Sequence, residues 1–220
     1  MSYGAARWRS KALALALAAL PSVAAEAETL EIVALGDSLT AGYGLPQGEG
    51  FVPQLQNWLT ERGHDVTVVN AGVSGDTTAG GLSRVDWALS DDTDAMIVTL
   101  GGNDLLRGID PANARGNIDG ILQAGQARDL EILLVGMKAP GNYGPEYQQD
   151  FDAIYPDLAE QYGTLYEEAF FGALTAEGDG PAAARAFMQP DGIHPNAEGV
   201  ARIVAALGPR VEELIAEAQD

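Results

Sequence analysis

Two segments of the chain carry the residue types that nucleophilic catalysis needs. Ser38 follows an apolar run over residues 30–35, directly after Asp37, and His194 follows Asp191 by three residues. A nucleophile requires a base that takes its proton and a group that orients the base. A single turn would bring the Asp191 carboxylate to Nδ1 of His194 and leave Nε2 facing Ser38. Both pairs also suit turns and helix caps, so these residues alone leave the choice open.

Acyl transfer also needs hydrogen-bond donors aimed at the oxygen that becomes negative in the transition state. Three candidates follow apolar runs: the N–H of Ser38, the N–H of Gly75 and the side-chain amide of Asn103. Each residue could instead have only a structural role: Ser38 could start a helix, and Gly75 and Asn103 could simply form turns. Their occurrence in this order favours an oxyanion hole.

These residues depend on the elements that position them. Short apolar runs alternate with amphipathic segments, and this pattern predicts strands at residues 30–35, 66–70, 95–100, 131–136 and about 164–166. Helical spacing falls on Phe51–Leu59, on a segment that begins at Asp110-Pro111, and on a stripe from Val200 to Ile215 that Gly208-Pro209 should kink. We therefore predict a doubly wound α/β domain with three layers and a five-stranded parallel sheet.

In such sheets the ligand site lies beyond the carboxyl ends of the strands. Ser38, Gly75 and Asn103 follow three predicted strands, so they should meet at that edge. His64, the second of the two histidines, lies in a turn at the opposite edge and is expected to be solvated and structural. An alternative uses Asp37, Asp76 and Asp104 as Mg²⁺ ligands, but each acid also suits a helix cap.

The overall composition narrows the function further. The chain has no cysteine and a formal net charge of −20, so a thiolate nucleophile and a Cys-ligated metal are excluded. A surface this acidic repels phosphate backbones and anionic membranes, so we expect no nucleic-acid partner and no stable membrane insertion.

The pattern of the first residues predicts an export signal. Arg7, Arg9 and Lys11 precede the apolar stretch of residues 12–20, which is too short to span a bilayer. We expect a signal peptide over residues 1–27 with cleavage after Ala27, or else after Ala24, and a single domain over 28–220. The alternative is an N-terminal amphipathic helix. Export predicts a periplasmic or secreted protein.

Four blocks together resemble the GDSL/SGNH hydrolase family: "GDSL" (36–39), "NAGVSGDT" (70–77), "GGND" (101–104) and "DGIHP" (191–195). Within the family, "GMKAPGNYG" and "FMQPDGIHPN" are similar to bacterial periplasmic esterases with thioesterase, lysophospholipase and arylesterase activity. The resemblance implies a flavodoxin-like fold. It also implies Ser38, His194 and Asp191 as the triad, and Ser38, Gly75 and Asn103 as the oxyanion hole.

The resemblance implies a serine esterase that acts on aryl esters, acyl esters, thioesters or lysophospholipids without a metal or organic cofactor. Export disfavours acyl-CoA as the natural substrate. We expect a monomer and a small ester or lipid as its partner. The predicted wall of the acyl site consists of Leu105, Leu106, Ile109, Pro140 and Tyr143, which could instead pack loops. The alternatives are a carbohydrate O-deacetylase of the same family and a catalytically silent binding module.

Overall fold

The computed structural model describes Met1, residues 29–175 and residues 184–219. Apart from Met1, the expected signal peptide at residues 1–27 lies outside the described residues. Five parallel strands form one sheet in the order β2-β1-β3-β4-β5. The strands are β1 (Leu30–Gly36), β2 (Val66–Gly72), β3 (Thr93–Thr99), β4 (Glu131–Val135) and β5 (Leu165–Glu167).

Helices connect the strands and follow the last one. They are α1 (Ser38–Ala41), α2 (Phe51–Glu61), α3 (Thr78–Ala88), α4 (Gly102–Arg107), α5 (Pro111–Gln126), α6 (Pro145–Tyr162), α7 (Gly172–Thr175) and α8 (Ala197–Ala218). Two short 3₁₀ helices cover Gly141–Tyr143 and Arg185–Phe187. No helix in the described ranges combines the length and the apolar character needed to cross a bilayer.

The helices cover both faces of the sheet. The chain turns back from β1 to β2 and then advances through β3, β4 and β5, so right-handed crossovers place α2 on one face and α3, α5 and α6 on the other. Contacts agree with this arrangement, because α8 packs on α2, α3 packs on α5, and α5 packs on α6. The predicted doubly wound α/β fold with three layers is confirmed.

The core lies between these layers. Ile32, Val33, Ala34 and Leu35 of β1 are all at most 1% exposed, which a strand covered on both faces requires. α2 contributes Phe51, Val52, Leu55 and Leu59 from one side, as its helical spacing predicts. A continuous apolar strand therefore delivers the next residues, Asp37 and Ser38, to the edge of a fully packed sheet.

The strands β2 and β3 each extend two residues beyond one end of their predicted apolar run. β3 begins at Thr93 instead of the predicted residue 95, because polar contacts hold its first residues to β1: the Glu31 N–H donates to Asp94 Oδ2 (2.7 Å) and Thr93 Oγ1 donates to Glu31 Oε1 (3.0 Å). β2 continues to Gly72 instead of residue 70, where it still pairs with Gly36 of β1. The hydrophobic pattern of the sequence does not predict either extension.

Two features predicted for the helices, the cap of α5 and the stripe of α8, are present in the structure. Asp110 caps α5 by accepting a hydrogen bond from the Ala112 N–H at 2.9 Å. α8 continues through Pro209, and Val211, Leu214 and Ile215 stay on its buried stripe, so the proline does not change the phase. His64 is half-buried, with 27% of its side chain exposed, and its Nε2 contacts Glu212 Oε1 of α8 at 2.9 Å. This contact gives it a structural position away from Ser38.

Candidate active site

Three neighbouring strands end in register at the edge that carries the candidate site. Gly36 of β1 is paired with Gly72 of β2 and with Thr99 of β3. The segments that follow these strands therefore start side by side, with β1 in the middle. The chain reverses its direction across the sheet between β1 and β3, which is where doubly wound folds form their ligand crevice.

Ser38 lies at the first position of the short helix α1. Asp37 caps this helix, and its Oδ1 accepts a hydrogen bond from the Leu39 N–H at 3.0 Å. A residue at the start of a helix has a backbone N–H that the helix itself does not use. Ser38 thus presents both its hydroxyl and its N–H at the end of β1.

His194 reaches Ser38 from the far end of the chain. His194 Nε2 lies 2.9 Å from Ser38 Oγ, and Nδ1 lies 2.6 Å from Asp191 Oδ2. The other Asp191 oxygen accepts the N–H groups of Ile193 (2.9 Å) and His194 (3.1 Å). With Nδ1–H donated to the carboxylate, Nε2 has its lone pair toward the serine and can take the hydroxyl proton.

Asp191 remains charged in this arrangement. The hydrogen bond from His194 and the two backbone N–H groups lower the pKa of Asp191 from 3.8 to about 2. Neither Asp191 nor His194 caps α8, since Asn196 does so by accepting from the Gly199 N–H at 2.9 Å. The alternative interpretation of this pair as helix caps is therefore wrong.

The candidate oxyanion donors follow β2 and β3. Gly75 has a φ of +88°, a conformation that favours glycine, and no described residue accepts a hydrogen bond from its N–H. Asn103 lies in α4 and donates from Nδ2 to Asp37 Oδ2 at 3.1 Å, which leaves its second N–H unused. The structure thus brings to this edge the three segments that carry the predicted donors.

The three aspartates of the alternative Mg²⁺ site have separate partners. Asp37 contacts Leu39 and Asn103, while Asp76 pairs with Arg84 Nε at 2.7 Å. Asp104 is buried and accepts from the Thr78 N–H (2.8 Å) and from Thr78 Oγ1 (2.7 Å). Within residues 29–175 and 184–219, no group of three His, Asp or Glu side chains is arranged to hold a metal.

A cavity of about 260 Å³ opens beside Ser38 and Asn103. Four of the five predicted wall residues line it: Leu105, Leu106, Pro140 and Tyr143. Ile109 does not, because α4 ends at Arg107 and Gly108 turns the chain, so that the Ile109 carbonyl accepts from Tyr147 O–H at 2.9 Å. Sequence reasoning missed four apolar lining residues, Leu39, Met137, Phe171 and Ile193. Leu39, Met137 and Ile193 lie inside the quoted segments "GDSL", "GMKAPGNYG" and "DGIHP", and Phe171 lies outside all of them.

Comparison with known proteins shows that the chain is a hydrolase of ester bonds. The model of the GDSL-like lipase/acylhydrolase family matches residues 34–202. The chain belongs to this family.

Individual relatives cover most of the chain. Esterase TesA of Pseudomonas aeruginosa is 39% identical over 202 residues, 91% of this chain and 96% of TesA. Thioesterase 1/protease 1/lysophospholipase L1 of Escherichia coli is 36% identical over 212 residues, 95% of this chain and 94% of that protein. The crystal structure of AlinE4, an SGNH-hydrolase family esterase, is 44% identical with a TM-score of 0.69, covering 86% of this chain and 98% of AlinE4.

Proposed function

We propose that the protein is a serine esterase in which Ser38 is the nucleophile, His194 the general base and Asp191 the group that orients it. One observation carries the proposal: Asp191 Oδ2, both ring nitrogens of His194 and Ser38 Oγ form a continuous chain with contacts of 2.6 and 2.9 Å. The protein hydrolyses ester bonds, as the names of its relatives as esterases and thioesterases support.

The first half of the reaction forms an acyl-enzyme. His194 Nε2 takes the proton of Ser38 Oγ as this oxygen attacks the carbonyl carbon of the ester. The negative oxygen of the tetrahedral intermediate accepts from the N–H groups of Ser38 and Gly75 and from the Asn103 amide. His194 then gives its proton to the leaving oxygen or sulfur, and the bond between the carbonyl carbon and the leaving group breaks.

The second half repeats these steps with water. His194 Nε2 takes a proton from water as its oxygen attacks the acyl-enzyme, and the same donors hold the oxyanion. The proton then returns to Ser38 Oγ as the acid leaves. Throughout, the ionised Asp191 stabilises the imidazolium and fixes its tautomer.

The cavity supports acyl chains as the bound group. Its lining includes seven apolar residues besides Tyr143: Leu39, Leu105, Leu106, Met137, Pro140, Phe171 and Ile193. Such a wall excludes water, and each methylene of an acyl chain that it buries stabilises binding by about 0.8 kcal/mol. We propose acyl esters, aryl esters and lysophospholipids as substrates, with oxyesters ahead of acyl-CoA thioesters because export separates the protein from CoA.

The proposal includes export and cleavage after Ala27, which leaves a single domain of residues 28–220 with a net charge of −22, since the signal holds three basic residues and one acidic residue. We propose that this mature chain acts as a monomer in the periplasm or outside the cell. Mass spectrometry of the protein recovered from a periplasmic extract tests the cleavage site, and sedimentation tests the monomer.

The test of the function is hydrolysis of p-nitrophenyl esters from acetate to palmitate, with Ser38→Ala beside the wild type. We expect turnover by the wild type that is lost in the variant, and a preference for chains longer than acetate. A preference for acetate alone would favour a deacetylase. Absence of turnover on every ester and on acetylated glycans would favour the silent binding module.

A further inference from the structure

Gln189 lies in the segment that carries the triad histidine. We define the histidine loop as residues 188–196 and the serine loop as residues 38–45. Within the histidine loop, the Gln189 N–H donates to the His194 carbonyl at 2.7 Å. The side-chain Nε2 donates to the Pro195 carbonyl at 2.9 Å. Gln189 therefore contacts the backbone at His194 and at the residue that follows it.

The same side chain also reaches the serine loop. Gln189 Nε2 donates its second hydrogen to the Tyr43 carbonyl at 2.8 Å. The Tyr43 N–H in turn donates to the Ser38 carbonyl at 3.0 Å. A continuous path of hydrogen bonds therefore runs from Ser38 through Tyr43 and Gln189 to His194, behind the 2.9 Å contact of their side chains.

Few other contacts join the two loops. Among the described residues, the only hydrogen bonds between them are the one from Gln189 to Tyr43 and the one between Ser38 and His194. The Tyr43 ring also lies against the His194 ring, with centroids 4.6 Å apart. The loops are more than 140 residues apart in the chain, and these contacts join them directly.

The serine loop is shaped to receive this side chain. Gly44 has a φ of +75°, and a Cβ built there would overlap Gln189 Oε1. Gln189 is half-buried, so both of its N–H donors are partly withdrawn from water when they meet the two carbonyls. An amide with two donors is the only uncharged side chain of this length that satisfies both carbonyls at once.

We propose that Gln189 is a positioning residue that sets the alignment of His194 on Ser38. This inference rests on the proposed function, because it concerns the reactivity of the same serine. Gln189 contacts neither the reacting atoms nor the acyl cavity, and it acts through the backbone of the two loops. A displacement of about 1 Å between a nucleophile and its base costs about 10²-fold in rate.

The test is Gln189→Glu, which keeps the shape but replaces the NH₂ group, with its two donors, by an oxygen that repels both carbonyls. Gln189→Met removes the donors without adding charge. The matched control is Gln56→Glu, because Gln56 is also half-buried and bonds two backbone groups, the Val66 carbonyl (2.9 Å) and the Val68 N–H (2.8 Å), at the start of β2.

Three quantities are measured: kcat and KM on p-nitrophenyl butyrate, the rate at which a p-nitrophenyl alkylphosphonate releases nitrophenol as it modifies Ser38, and the thermal unfolding midpoint. In both Gln189 variants we expect kcat and the modification rate to fall together by about 10²-fold. KM should stay near the wild-type value, and the unfolding midpoint should fall no more than in Gln56→Glu.

Wild-type modification rates in Gln189→Met would overturn the inference, and so would an equal loss of rate in Gln56→Glu. Failure of the proposed function gives a different result, since the wild type itself would then not react with the phosphonate.

Discussion

Asn103 donates a hydrogen bond of 3.1 Å to Asp37, although the two residues follow different strands. Asp37 is 1% exposed, and its other oxygen accepts from the Leu39 N–H. A carboxylate only accepts hydrogen bonds, so it fixes the Asn103 amide with its nitrogen inward and one N–H left for the oxyanion. Asp37 thus caps the helix that begins at Ser38 and orients Asn103, the proposed oxyanion donor.

The first prediction concerns this donor. Asn103→Ala should lower kcat on p-nitrophenyl butyrate by roughly 10²–10³, the usual cost of one oxyanion donor. KM should change little, because the donor bonds the oxygen mainly in the transition state. Asn57→Ala, at an exposed position of α2, is the control and should keep wild-type kcat. An unchanged kcat in Asn103→Ala would remove Asn103 from the oxyanion hole.

The second prediction concerns the charge of Asp37. Burial raises the pKa of Asp37 from 3.8 to about 6, against the lowering effect of its hydrogen bonds and of His194. The folded state therefore binds more protons than the unfolded state between these values. The contribution of Asp37 to stability is complete below pH 3.8 and is lost as the pH rises through about 6, by about 3 kcal/mol.

Asp37→Asn removes this titration. It also lowers the free energy of unfolding by an amount that does not depend on pH, because the hydrogen bond to Asn103 is lost. The free energy of unfolding of the variant, minus that of the wild type, should therefore increase from pH 4 to pH 7 and stay level above that. Urea unfolding of both proteins at each pH measures it. A difference that is constant over this range would show that the pKa of Asp37 is not raised.

Much of this fold follows from local sequence signals. Continuous apolar runs identify β1 and the centres of β3 and β4, and glycines and polar residues after them identify the edge that holds the site. Hydrophobic patterns could not show that β3 starts at Thr93, because contacts of Thr93 and Asp94 with Glu31 hold this polar start in the sheet. Such contacts depend on the partner strand and not on the residues nearby.

Contacts between residues that are distant in sequence limit the prediction of the site in the same way. Its blocks identify Ser38 and His194, but a contact between distant side chains, such as Asp37 with Asn103, leaves no periodic signal. The wall of the cavity was predicted from residues adjacent in sequence, and this approach fails at Ile109, where Gly108 at φ +61° turns the chain away. Phe171 was missed because it lies on the cavity from beyond β5, far from any block.

The third prediction concerns the orienting acid. Asp191→Asn keeps the size of the side chain and an oxygen for the Ile193 N–H, but its NH₂ group would face His194 Nδ1. The imidazole would then hold its proton on Nε2 and could not accept one from Ser38, so kcat should fall by on the order of 10⁴. The measurement is kcat on p-nitrophenyl butyrate at pH 7.

Asp157→Asn is the control for this substitution, because Asp157 is an exposed acid that also has one charged partner, Arg115 at 3.0 Å. It should retain wild-type kcat. The lowered pKa of Asp191 adds a second check: its carboxylate keeps its charge above pH 3.8 and loses it only as the pH falls through about 2. Loss of wild-type activity between pH 7 and pH 4 must therefore come from another group. Asp191→Asn activity within tenfold of wild type would contradict the role of Asp191.

The fourth prediction concerns the acyl cavity. Leu106 lines the cavity and is 57% exposed, so Leu106→Ser should fold normally while it removes apolar contacts from a bound chain. Each lost methylene contact is worth up to about 0.8 kcal/mol, so we expect KM for p-nitrophenyl octanoate to rise by about 3- to 10-fold. KM for the acetate, which is too short to reach the wall, should stay unchanged.

Trp87→Ser is the matched control, because Trp87 is an apolar side chain that is 88% exposed on α3 and does not line the cavity. It should leave KM for both esters at the wild-type value. The decisive quantity is the ratio of the octanoate to the acetate kcat/KM in each variant, since it cancels any general loss of active protein. An unchanged ratio in Leu106→Ser would mean that the acyl chain does not contact Leu106.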